Sequence, residues 1–244
     1  MGIDDNFQAA DEARAVRGFR AYGGTWRVED GVLYAPAGPG PKLVAEELSL
    51  ARGEVGVEVL LPDAASGNAG LIVKLSDPGV GADSFQGYEV ALDAAAGHLR
   101  LGRHRQNFEP IQDVPCAVPV NRWIALVVRM TETTLEIVVD GKTMLGYEDR
   151  EHPLTGGGVA FRPWQREARY RNLWISTGDK KQAVPLEPAG VQTEICDPWK
   201  PGCRGSARGE FSIADGPDPK RRAQRIAFLD GEGEVGIARR GLDG

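Results

Sequence analysis

From Thr25 onward the apolar residues of this chain return at every second position, and no stretch of helical length repeats at 3.6 residues. Val55, Val57, Val59 and Leu61 alternate up to Pro62, while Trp26 and Val28 lead into Glu29-Asp30-Gly31, from which Val32-Leu33-Tyr34 return as a hairpin. The same pattern predicts strands over 69–75, 87–93, 98–103, 123–130, 134–140, 158–162 and 169–175, with Asp140-Gly141 as a second strong turn. Gly 32 and Pro 16 supply the punctuation that so many short strands need. Each such strand has one face to bury, so the expectation is an all-β fold, a two-sheet antiparallel sandwich rather than a barrel.

Composition shifts after Ser176. Gly178-Asp179-Lys180-Lys181 and the stretch to Pro188 read as chain leaving a finished domain. The predicted division is therefore a sandwich over 1–177, a linker over 178–204 and a short extension over 205–244. That extension contains strand-like pieces at 210–214, 224–229 and 233–237. Chains below about 40 residues rarely fold alone, so it either packs on the first domain or begins a truncated second sandwich, the reading we favour. Cys196 and Cys203 bracket a six-residue loop and either close it as a disulfide or remain thiols.

A net charge of −6 argues against a polyanion-binding surface, hence against nucleic acid. No apolar run reaches the roughly 18 residues of a membrane span. The N-terminus lacks the basic and apolar regions of a secretion signal. The histidines, His98, His104 and His152, are too few and too scattered to complete a zinc site with the cysteines, and Cys116 is expected in the core.

Alternation also assigns faces. If Tyr88, Val90 and Leu92 point inward, Glu89 points outward; burying Leu99 and Leu101 turns out Arg100, Gly102 and His104; and Val159 and Phe161 inward put Arg162 outward. Past these strand ends lie Arg103-His104-Arg105-Gln106-Asn107-Phe108-Glu109 and Arg162-Pro163-Trp164-Gln165-Arg166-Glu167, which mix guanidinium, amide, carboxylate and aromatic groups. A sugar presents hydroxyls that donate and accept and a C–H face that lies on a ring, so this mixture suits it. The candidate site is Glu89, Arg103, His104, Arg105, Asn107, Arg162, Trp164 and Gln165. Arg103 belongs there only if a bulge or a strand end near Gly102 breaks the alternation. An outer face rich in Arg and Glu is equally what plain solvated surface carries. Trp26, Trp123 and Trp174 lie within apolar runs and read as core.

Gly87-Tyr88-Glu89-Val90-Ala91-Leu92-Asp93, Leu101-Gly102-Arg103-His104, Val138-Val139-Asp140-Gly141 and Arg171-Asn172-Leu173 resemble the concanavalin-A-like jelly-roll superfamily, in its laminin-G and 3-keto-disaccharide-hydrolase-like branch, over about residues 19–177. The stretch 103–110, Glu148-Asp149-Arg150-Glu151-His152-Pro153 and 164–169 resemble the accessory sandwich of bacterial α-L-arabinofuranosidase-type proteins of glycoside hydrolase family 51, and 206–242 resembles the start of the sandwich that follows it there. The Cys196–Cys203 pair departs from that pattern.

The resemblance implies a non-catalytic module that binds a polysaccharide or oligosaccharide beside a catalytic domain of the same parent chain, secreted or periplasmic. The alternative is a glycoside or keto-glycoside hydrolase whose carboxylates, Glu89, Asp149 and Glu167, converge in space; the Glu-x-Asp-x-x-Glu strand of glucanases with this fold is missing. No cofactor is required, and a structural calcium on loop residues Asp77, Asp83 and Asp149 is a further candidate.

Overall fold

The computed structural model describes residues 15–178, 180–189, 199–215 and 222–239. It falls into two compact units, 1–189 and 190–244.

The first unit is an antiparallel sandwich. One sheet has the order β1 (Phe19–Tyr22), β4 (Lys42–Ala45), β13 (Gly158–Trp164), β6 (Asn68–Ser76), β7 (Gln86–Asp93), β8 (His98–Arg105), β9 (Phe108–Pro115). The other runs β12 (Lys142–Glu148), β11 (Thr134–Val139), β10 (Ile124–Met130), β5 (Gly53–Leu60), β14 (Ala168–Thr177), β3 (Val32–Ala35), β2 (Arg27–Glu29), and β15 (Lys180–Ala183) joins it beside β14. The alternation works as expected: Val55, Val57 and Val59 from one sheet and Tyr88, Val90 and Leu92 from the other enter one continuous core. Phe161 and Tyr170 meet across it with ring centroids 4.7 Å apart. Cys116 is buried in that core.

Three expectations need correction. Trp26 is core at 1 % exposure, but Trp123 and Trp174 lie half-buried on the outer face of the larger sheet. Trp123 simply alternates with inward Ile124, whereas Trp174 is turned outward by a bulge. Arg171 pairs with Glu58 and Trp174 with Gly56, so three steps along β14 match two along β5; Leu173 takes the core position and Asn172 adopts φ 53°. The predicted linker is also shorter than 178–204. Lys180–Ala183 form β15 on the free edge of β14, Leu186 is buried, and Val16 bridges Pro188. All four β15 side chains are exposed, so no alternation betrays the strand.

The second unit consists of two ribbons, β16 (Trp199–Gly205) with β19 (Gly233–Arg239) and β17 (Arg208–Asp215) with β18 (Arg222–Asp230). Phe211, at 2 % exposure, anchors it. The pairing of Cys196 with Cys203 lies outside the described residues.

Candidate functional site

The outer face of the seven-stranded sheet carries a buried ionic cluster. Register places Arg162 opposite Gly70, and Glu89 opposite both Ile72 and Gly102. Gly70 has no side chain, so the Arg162 guanidinium crosses β6 and reaches the carboxylate of β7 two strands away, a span of about 10 Å between strand axes. Arg162 Nη1 donates to Glu89 Oε1 at 2.6 Å, and His104 Nε2 lies 2.8 Å from Glu89 Oε2. Lys42, Glu89, His104 and Arg162 are 0, 2, 0 and 3 % exposed.

Charges taken out of water at this depth persist only when paired. Burial alone would raise the Glu89 carboxyl, but Arg162 and the His104 hydrogen bond outweigh it and hold it below the usual carboxylate range. Burial, helped by repulsion from Arg162, brings the Lys42 ammonium down to about 8 against the pull of Asp83 and Glu89.

The loop between β6 and β7 covers the cluster. Phe85 stacks on His104 with centroids 4.1 Å apart at 28°, and Phe108 flanks the imidazole at 5.1 Å. Lys42 Nζ donates to Gly81 O at 2.6 Å, and Arg162 Nη2 to Ala82 O at 3.3 Å. Two half-buried side chains form the accessible rim. Trp164 has the Arg162 guanidinium 5.3 Å from its ring centroid, and Arg100 holds Asp113 through two 3.0 Å hydrogen bonds. Beneath them, Arg162 Nε and His104 Nδ1 are buried without hydrogen-bond partners among the described residues; Asp83 Oδ1 stands 3.3 Å from the latter. Such unsatisfied nitrogens are rare in folded proteins.

Of the eight predicted site residues, Glu89, His104, Arg162 and Trp164 come together here. Arg103 does not. The bulge expected near Gly102 lies in β9, where Ile111 is the extra residue, so β8 stays regular and Arg103 turns to the other side. There it binds Glu109 at 2.6 Å and Asp149 at 2.8 Å, and Tyr88 Oη donates to the same Asp149 oxygen. Arg105 follows it and donates to His152 O. Asn107 is exposed in the turn after β8, its carbonyl accepting from Arg105 N at 3.1 Å. Gln165, exposed at φ 57°, donates its backbone N–H to Gly38 O at 2.7 Å.

Lys42, Asp83, Phe85 and Phe108 were missed as site residues. Lys42 was readable, since Leu43 inward forces it outward beside Arg162; the loop residues carry no periodic signal.

Two of the three aspartates named for a structural calcium are engaged by other groups. Asp149 is committed to Tyr88, Arg103 and the His152 N–H, which hold its carboxyl below the ordinary range against burial. Asp77 accepts from Gln86 at 2.9 Å. Among the described residues no group of three or more His, Cys, Asp or Glu is placed to hold a metal. Glu89 and Asp149 lie under opposite faces of the sheet, so they do not face one substrate.

The family model described as 3-keto-alpha-glucoside-1,2-lyase-like domain matches residues 8–176. Among solved structures, the carbohydrate binding module CBM66 from Bacillus subtilis is 15 % identical, covers 65 % of this chain and 94 % of its own, and superposes with a TM-score of 0.58. A Bacillus subtilis protein of unknown function with a galectin-like fold is also 15 % identical, covers 67 % of this chain and 92 % of its own, and gives 0.55. At such identities the likeness concerns the jelly-roll fold. No curated protein matches the chain.

Proposed function

The chain belongs to the 3-keto-alpha-glucoside-1,2-lyase-like domain family, and we propose that its sandwich is a carbohydrate-recognition module that holds a sugar on the outer face of the seven-stranded sheet, over Trp164 and the Glu89–Arg162–His104 cluster. The observation that carries this reading is the half-buried ring of Trp164, held on the outer face with the Arg162 guanidinium 5.3 Å from its centroid and the buried cluster behind it. The C–H face of a sugar lies on the indole, and its hydroxyls exchange hydrogen bonds with the polar groups of the rim, Arg100 and Asp113.

The cluster acts as a rigid base for that contact. Both oxygens of Glu89 are already bonded, and the lowered pKa of its carboxyl makes it a poor proton donor or acceptor near neutral pH. A binding role uses such a group; proton transfer does not. The module then works by raising the effective concentration of a neighbouring catalytic domain on its polymer. In the parent protein that partner is an α-L-arabinofuranosidase-type glycoside hydrolase acting on plant polysaccharide outside the cytoplasm.

One observation favours a second reading, catalysis on a keto-glycoside: the His104–Glu89 pair has the form of a base and its orienting carboxylate. Two measurements separate the readings. Titration calorimetry of the best glycan against Trp164→Ala and Glu89→Ala gives weakened binding in both if the site is right, and unchanged affinity in folded variants moves it elsewhere. Incubation with arabinan, arabinoxylan, levan, aryl glycosides and 3-keto-glucosides releases no product if the module only binds. Turnover abolished by Glu89→Gln would establish the enzyme instead.

A further inference from the structure

The larger sheet also shows an outer face, and it is not plain solvated surface. Tyr34 lies between two guanidinium groups, Arg27 at 3.9 Å and Arg169 at 5.1 Å from its centroid; Trp123 lies under Arg171 at 4.3 Å; and Trp174 lies under Lys181 Nζ at 3.7 Å. Two departures from a regular sheet combine to place the last of these. The β14 bulge turns Trp174 out of the core, and Gly56 makes room for it, since a Cβ there would overlap the indole. Either feature alone is ordinary. Together they lay a large apolar ring on a solvent-facing sheet, where burial would ordinarily have been more favourable.

We propose that this face is a second glycan-contacting surface, on which an extended neutral polysaccharide chain lies across Tyr34, Trp123 and Trp174. The register spaces the rings as such a ligand requires. Tyr34 pairs with Arg169, which pairs with Leu60, and Trp123, the residue before β10, extends that row beyond the Ile124–Val59 pair, three strand intervals from Tyr34 or roughly 14 Å. Trp174 stands four residues along β5 from that row, at Gly56, roughly 13 Å away along the strand direction.

Rings so far apart fit successive units of an oligomer. Beside Tyr34 a pocket of about 200 Å³ offers the hydroxyl of Thr25, the guanidinium of Arg169 and the carboxylate of Glu167. That is below the roughly 300–1,000 Å³ of drug-sized sites and suits one sugar unit. Charge on the face is largely balanced within it, Arg27 by Glu29, Arg171 by Glu58, and Arg129 by Glu54 and Glu136. A neutral chain is therefore the occupant that charge complementarity favours over a polyanion. The cations over the rings sit on flexible side chains, and they turn aside to donate to hydroxyls when a sugar takes their place.

The test is the migration of the full chain through native gels containing levan, arabinan or arabinoxylan. At least one polymer retards the wild type, and Trp174→Ala and Tyr34→Ala each weaken that retardation about 2- to 12-fold, the range for one aromatic contact. Trp174→Phe, which keeps a ring over Gly56, retains the fold and loses less. Retardation unchanged in both alanine variants but lost in a folded Trp164→Ala overturns this surface and leaves the first site standing. The reverse pattern keeps this surface and removes the first site. A folded wild type that none of the three polymers retards overturns both.

Discussion

Arg162 Nη1 stands 2.6 Å from Glu89 Oε1 across the glycine-bearing strand β6, with the two side chains 4 and 3 % exposed. An ion pair at that depth is costly to break from one side, because the surviving charge keeps its desolvation penalty and loses its partner. Glu89→Gln should therefore destabilise the sandwich by about 3–5 kcal/mol at neutral pH. Replacing both partners, as Glu89→Leu with Arg162→Met, should cost less than the sum of the single changes. Denaturant unfolding of the four proteins measures the coupling.

The acid limb of stability follows from the same pair. Glu89 and Asp149 both titrate below their ordinary values of 4.5 and 3.8 in the folded chain. As pH falls through those values the unfolded chain takes up protons that the folded chain refuses, so stability is full above about pH 4.5 and is lost as pH drops through the folded pKa values. Thermal unfolding at pH 7, 5, 4 and 3 should show a falling midpoint below pH 5. Glu89→Gln should start lower and fall less steeply.

Arg103 separates structure from recognition. Its ion pairs to Glu109 and Asp149 lie on the far side of β8 from Trp164. Arg103→Ala should lose about 1–3 kcal/mol of stability, since it leaves Asp149 buried without its cation, while glycan affinity stays at the wild-type value. A loss of affinity at unchanged stability would put Arg103 back in the site.

The strand after Thr177 has a measurable weight. Ending the chain at Ala189 keeps β15 on β14 and Leu186 in the core; ending it at Thr177 removes both. Burying one leucine contributes about 1.5–3 kcal/mol, so the shorter form should unfold at a clearly lower temperature than the longer one. Equal midpoints would mean that residues 178–189 add nothing to the sandwich.

What the sequence reveals here is set by how local the determinant is. Tyr88-x-Val90-x-Leu92, Leu99-x-Leu101 and Val159-x-Phe161 give their faces directly, and with them the outward placement of Glu89, His104 and Arg162, because alternation is a property of each strand alone. Trp174 defeats the same reasoning, since a bulge between Arg171 and Trp174 inverts the count and nothing in Arg171-Asn172-Leu173 compels one. Arg103 fails in the opposite sense: its place in the site required a break in its own strand near Gly102, and the bulge formed on the partner. Phe85 and Asp83 reach His104 only because a loop folds back over the sheet, a tertiary event without periodicity. β9, with Pro110 and Pro115, escaped notice because an edge strand tolerates residues that a central one excludes.

The most direct test of the account is a glycan array probed with the wild-type chain and with Trp164→Ala side by side. The wild type should be retained by a defined set of neutral glycans, and Trp164→Ala, folded by circular dichroism, should lose most of that signal. Retention of neither protein, or the same glycans held equally by both, would contradict it.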